Sequence, residues 1–84
     1  MTLNPIAANM TEIEMSGGLT VLFSYKTLVA CRWTNGSVYE FYQTDKKWSK
    51  TTSRHIKKWL AFYGEPGAQI KPQEYFDNLA MGVK

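Results

Sequence analysis

The chain has 84 residues, enough for one small domain and too few for a second core, since a chain this short buries only about 60–65% of the surface its unfolded form exposes. A composition of 44% hydrophobic and 20% charged residues is ordinary for a globular protein and argues against a disordered chain. One cysteine, Cys31, and one histidine, His55, exclude an internal disulfide and a Cys/His zinc centre, so neither a metal nor another cofactor is expected.

Residues 1–10, with Asn4, Pro5, Ala7, Ala8 and Asn9, read as a flexible lead-in to a single α+β domain over residues 11–84. They lack a basic segment followed by an apolar run, so no secretion signal is expected. No apolar stretch approaches the roughly 20 residues of a membrane span. Residues 11–16 suit a short edge strand, because Ile13 and Met15 alternate with Glu12 and Glu14. Gly17-Gly18 breaks it. Leu19 to Tyr25 and Leu28 to Thr34 are the next strands, joined by a turn at Lys26-Thr27 that lacks glycine. Asn35-Gly36 is a strong hairpin signal, and Ser37 to Gln43 follows as a β-favouring run. A turn centred on 35–36 sets Arg32 opposite Tyr39 and Ala30 opposite Phe41. One face then carries Leu28, Ala30, Arg32, Tyr39 and Phe41, joined by Val21 and Phe23. The other carries Val29, Cys31, Trp33, Val38, Glu40 and Tyr42.

Thr44 to Lys50 is a polar, basic connection. Thr51-Thr52-Ser53 is a cluster of helix-capping residues, and residues 53–63 follow helical periodicity. Ile56, Trp59, Leu60 and Tyr63 form one arc, while Arg54, Lys57 and Lys58 fall on the opposite side. Gly64 supplies the C-terminal cap and Pro66 ends the helix. Pro72 suits the first turn of a short last helix, whose buried side would carry Tyr75, Phe76, Leu79 and Ala80.

The net charge is +3, and its distribution matters more than its size. Six of the ten basic residues, Lys46, Lys47, Lys50, Arg54, Lys57 and Lys58, fall within residues 46–58, with no acid among them. A solvated helix face explains such a stripe without any function. A phosphate-contacting surface explains it as well, because clustered cations raise the local potential and a helix start adds hydroxyls and backbone N–H donors. The candidate nucleic-acid set is therefore Lys46, Lys47, Lys50, Thr52, Ser53, Arg54, Lys57 and Lys58. Trp33, Tyr42 and Val29 form a second candidate, an aromatic patch for a protein partner, unless Ile13 and Met15 cover it. His55 reads as a packed histidine, since a catalytic role needs a nucleophile or carboxylate nearby and none is apparent. No glycine-rich phosphate loop or metal spacing names a reaction, so an enzyme is not expected.

Thr44-Asp45-Lys46-Lys47-Trp48-Ser49, followed by Thr51-Thr52-Ser53-Arg54-His55-Ile56-Lys57-Lys58-Trp59-Leu60, resembles a family of short uncharacterised tailed-bacteriophage proteins. They share a W-S-x-T-T-S-R-H-I-x-K-W-L string, and the likeness extends over about residues 19–63. It implies a phage origin and the cytoplasm of an infected bacterial host, and carries over no site residues. The expected fold is a three- to four-stranded antiparallel β-meander with one amphipathic helix across it and a short C-terminal helix. The expected function is non-enzymatic binding of DNA or RNA phosphates through the basic loop and helix. The alternative is an inhibitor or adaptor that docks on a host protein. Both a monomer and a homodimer through a strand edge fit.

Overall fold

The computed structural model describes residues 2–64 and 68–81. Its sheet has six strands in sequential order: β1 (Thr2–Ala7), β2 (Met10–Met15), β3 (Leu19–Ser24), β4 (Thr27–Asn35), β5 (Val38–Thr44) and β6 (Gln69–Lys71). The first five pair antiparallel, and β6 pairs parallel with β5. Helix α1 (Lys50–Phe62) makes the crossover between β5 and β6, and α2 (Gln73–Met81) follows. The α+β class is as expected, but the sheet has more strands than the expected three or four. Where a lead-in is expected, Thr2–Ala7 pairs with β2, so β2 is interior and β1 is the edge. Pro5 fits this placement, because an edge strand can lack one ladder donor. Pro66, expected to end α1, lies outside the described residues.

The expected face assignment survives only in part. Asn35 pairs with Val38 and Arg32 with Phe41, so the turn centres on Gly36-Ser37, one residue later than predicted. Gly36 has φ +65 while Ser37 stays at negative φ, the pattern of a type II′ turn with glycine first. The resulting register shift is two residues, which preserves the faces on β4 and β5. Between β3 and β4 the turn centres on Tyr25-Lys26, and the ladder then skips Val29: Phe23 pairs with Leu28 and Leu22 with Ala30. This bulge puts Val29 and Ala30 together on one face and sends Leu28 to the other. Val21 and Phe23 consequently lie opposite the face predicted for them, and Leu22 takes their place under α1.

Each face of the sheet has its own core. Met10, Leu22, Val29, Ala30 and Phe41 pack against Ile56, Trp59 and Leu60 of α1. Ile13, Leu19, Val21, Leu28 and Cys31 pack against Phe76 of α2. The Cys31 thiol is pushed up to about 12, first by burial, which leaves it protonated and unreactive at neutral pH. The helix that covers the second face is the C-terminal one, whose Tyr75, Phe76, Leu79 and Ala80 do face inward. Gly18 ties the β2–β3 loop to the end of β4. It has φ +80, its carbonyl accepts from Thr34 N–H at 2.8 Å, and a Cβ there would stand 2.6 Å from the Thr34 carbonyl oxygen.

Candidate functional site

The basic residues converge where β5 hands over to α1, and Gln73 holds that junction in place. Its side-chain carbonyl accepts from Thr44 Oγ1 at 2.6 Å and from Trp48 Nε1 at 3.2 Å. Its amide donates to the Leu28 carbonyl and to Asp77 Oδ1, both at 3.0 Å. Its backbone N–H donates to Asp45 Oδ1 at 3.2 Å, and Asp45 N–H donates to the Lys71 carbonyl at 2.9 Å. One glutamine at the start of α2 thus holds the segment before α1 at three points, Thr44, Asp45 and Trp48, so the cations on that loop project from an anchored backbone.

Helix α1 begins earlier than the capping cluster at 51–53 suggests. Ser49 is the N-cap, and its side chain accepts from Thr52 N–H at 3.1 Å. Thr52 therefore sits inside the first turn. It is buried, with its hydroxyl 3.0 Å from Ser24 Oγ, and leaves the phosphate-contacting set. Ser53 is exposed and stays in it.

Lys46, Lys47, Lys50, Arg54, Lys57 and Lys58 are all exposed, and among the described residues none forms an ion pair with a carboxylate. Two adjoining grooves run between them. The larger, about 430 Å³, is lined by Lys47, Trp48, Ser49, Lys50, Ser53, Arg54 and Lys57. The smaller, about 290 Å³, shares Lys47, Ser53 and Lys57 and adds Lys46. Lys58 lines neither and lies on the His55 side of the helix, so five of the six cations are brought together.

The placement of these charges opposes what helix stability favours. The helix dipole favours acids in the first turn, at its positive end, and bases in the last, at its negative end, each contributing about 0.3–1 kcal/mol. The first turn of α1 has no acid and its last turn has no base. Lys50 instead occupies the first helical position, and Arg54 lies one turn further on. Cations added to the positive pole raise the local potential at the groove, and a bound anion would relieve it.

The second candidate does not assemble. Val29 is fully buried under α1, on the opposite face from the other two. Trp33 and Tyr42 do share a face, but α2 covers part of each: Trp33 Nε1 donates to the Tyr75 hydroxyl at 2.9 Å, and the Tyr42 and Tyr75 rings are 5.9 Å apart. Ile13 and Met15, expected to provide the cover, are in-plane neighbours in β2.

His55 is packed, as expected, and its partner lies outside its own helix. Its Nδ1 is 2.8 Å from Ser24 Oγ, which also contacts Thr52. A serine beside a histidine suggests a nucleophile and base. Ser24, however, is 2% exposed and lies beneath the helix, where no substrate can approach it. The three groups satisfy one another and pin the start of α1 to the end of β3. Burial, then the nearby Lys58 charge, lowers the His55 pKa from its ordinary 6.5. The unfolded chain therefore takes up the proton first. The stability contributed by the neutral ring is complete above about pH 6.5 and is lost as pH falls from there through the lower folded value. Between about pH 7.5 and about pH 5 the melting temperature of wild type should drop further than that of His55→Gln. Equal drops would show that the imidazole does not carry this dependence.

At the other end of α1, Glu12 is buried and accepts from Trp59 Nε1 at 2.9 Å and from the Tyr63 hydroxyl. Arg32 lies over the Tyr63 ring at 4.2 Å. Among the described residues no group of three or more His, Cys, Asp or Glu is placed to hold a metal. Among the described residues no helix is long and apolar enough to cross a membrane. The model of a family of unknown function, DUF8033, matches residues 1–78. No curated protein and no solved structure matches the chain.

Proposed function

We propose that this chain, which belongs to the family of unknown function DUF8033, is a non-enzymatic binding protein for nucleic-acid phosphates. The contacts come from Lys46, Lys47, Lys50, Ser53, Arg54 and Lys57 along the two grooves at the start of α1. The observation that carries this reading is the exposed cationic cluster at the positive pole of the helix, where the dipole favours acids. An extended polyanion fits better than a single small anion, because the cations spread along a loop and more than one turn of helix. The setting that goes with it is the cytoplasm of an infected bacterial cell, as the likeness to phage proteins implies.

Binding of labelled DNA and RNA at low salt tests the proposal, with Arg54→Glu/Lys57→Glu as the disabling variant and Lys58→Glu as its neighbour outside the grooves. The double variant should lose at least about tenfold in affinity, and Lys58→Glu at most about twofold, because contact charges act at short range under screening. Absence of binding by wild type, or equal binding by the double variant, removes the reading. Docking on a host protein through the aromatic face loses support, since Val29 lies on the other face and α2 packs over part of Trp33 and Tyr42. A cationic plug for an acidic groove on a host protein is what remains if neither nucleic acid binds.

A further inference from the structure

Trp48 is the tryptophan that neither core uses. Trp59 is fully buried and Trp33 is half-buried beneath α2, whereas Trp48 is 42% exposed in the middle of the cationic segment. Its orientation is nevertheless fixed, because the indole N–H is held by Gln73 and Gln73 is held by Thr44, Leu28 and Asp77. The Lys46 ammonium stands 4.1 Å from the ring centroid. Lys46 does not line the larger groove, and Trp48 does, so part of the exposed indole borders that groove. A large apolar ring is thus presented edge-anchored beside Lys47, Lys50, Arg54 and Lys57.

Resting on the phosphate-binding reading, we propose that Trp48 stacks a nucleobase and that the ligand is a single strand. Cations alone do not distinguish single strands from duplex, since both present phosphates. An open indole does: in a duplex each base face is already stacked on its neighbours, and only an unstacked strand can offer a π-face. Stacking is tolerant of base identity, so the preference is for strandedness rather than sequence. Pre-orientation by Gln73 lowers the ordering cost of the contact.

The test uses the full chain with single-stranded DNA, single-stranded RNA, the duplex of the same sequence and inorganic polyphosphate, a polyanion without bases. Wild type should bind one or both single strands at least about tenfold more tightly than the duplex, with quenching of tryptophan fluorescence. Trp48→Ala should lose about tenfold or more on single strands while its affinity for polyphosphate stays unchanged. Trp48→Phe, which keeps a stacking ring, should keep most of the affinity and lose the quenching. Equal affinity of Trp48→Ala and wild type for single strands, or quenching that persists in Trp48→Phe, overturns the stacking proposal. If Arg54→Glu/Lys57→Glu still abolishes binding in that case, the phosphate reading stands alone. If wild type binds neither nucleic acid nor polyphosphate, both fall together.

Discussion

Trp59→Ala is expected to destabilise the protein by about 3–5 kcal/mol, the range for removing a buried large aromatic side chain. Trp59 is the largest fully buried side chain, meets the Phe41 ring edge-on at 5.8 Å, and contacts Tyr63 at 5.5 Å. A chain of this length has a total stability of only about 4–12 kcal/mol, so the loss takes up much or all of it. The variant removes a hydrogen-bond donor as well as volume, since the indole N–H donates to the buried Glu12 carboxylate. Trp59→Phe separates the two effects. It keeps most of the ring and should cost about 1–3 kcal/mol, chiefly through the weakened solvation of Glu12. Urea unfolding of the two variants beside wild type measures both. A Trp59→Ala unfolding free energy within about 1 kcal/mol of wild type would mean that α1 is not held to the sheet by this contact.

The helix that carries Trp59 was readable because Ile56, Trp59, Leu60 and Tyr63 repeat at helical spacing and Arg54, Lys57 and Lys58 interrupt them out of phase. Its start was not, because three hydroxyl residues at 51–53 all resemble caps and the real one, Ser49, precedes them by a lysine. The central strands were legible by alternation. Leu28-Val29-Ala30-Cys31 is apolar throughout, so nothing in that run marks which residue bulges, and the bulge at Val29 decides which face each neighbour takes. Strand β1 contains Asn4 and Pro5, residues depleted in strands, and is held by pairing with β2 rather than by propensity. Strand β6 is only Gln69–Lys71, a length at which no periodicity exists.

The candidate site divides in the same way. Its cations were legible because exposed charges need no knowledge of packing, and all six are exposed. What required three dimensions was selection among them. Lys58 is adjacent to Lys57 in sequence yet lines neither groove, and Thr52, between exposed neighbours, turns inward to Ser24. Trp48 is visible in the string Lys47-Trp48-Ser49, but nothing around it in sequence gives it a role. Its anchor, Gln73, is 25 residues away in sequence, and no local pattern connects them.

The affinity of the grooves should fall steeply and linearly with the logarithm of salt concentration. Each phosphate neutralised releases condensed counterions, giving a slope of about −0.7 per contact on single strands. If Lys46, Lys47, Lys50, Arg54 and Lys57 each meet one phosphate, about five contacts give a slope of roughly −3.5. Raising salt from about 50 mM to about 200 mM then weakens binding by roughly 100-fold, the largest single change expected of any condition that leaves the fold intact. Arg54→Glu/Lys57→Glu removes two contacts and should flatten the slope to roughly −2, whereas Trp48→Ala should lower affinity at every salt concentration and leave the slope unchanged. The two kinds of variant therefore separate along different coordinates of one measurement. A wild-type slope shallower than about −1 would mean that the cations at the start of α1 do not meet a polyanion, whatever Trp48 does.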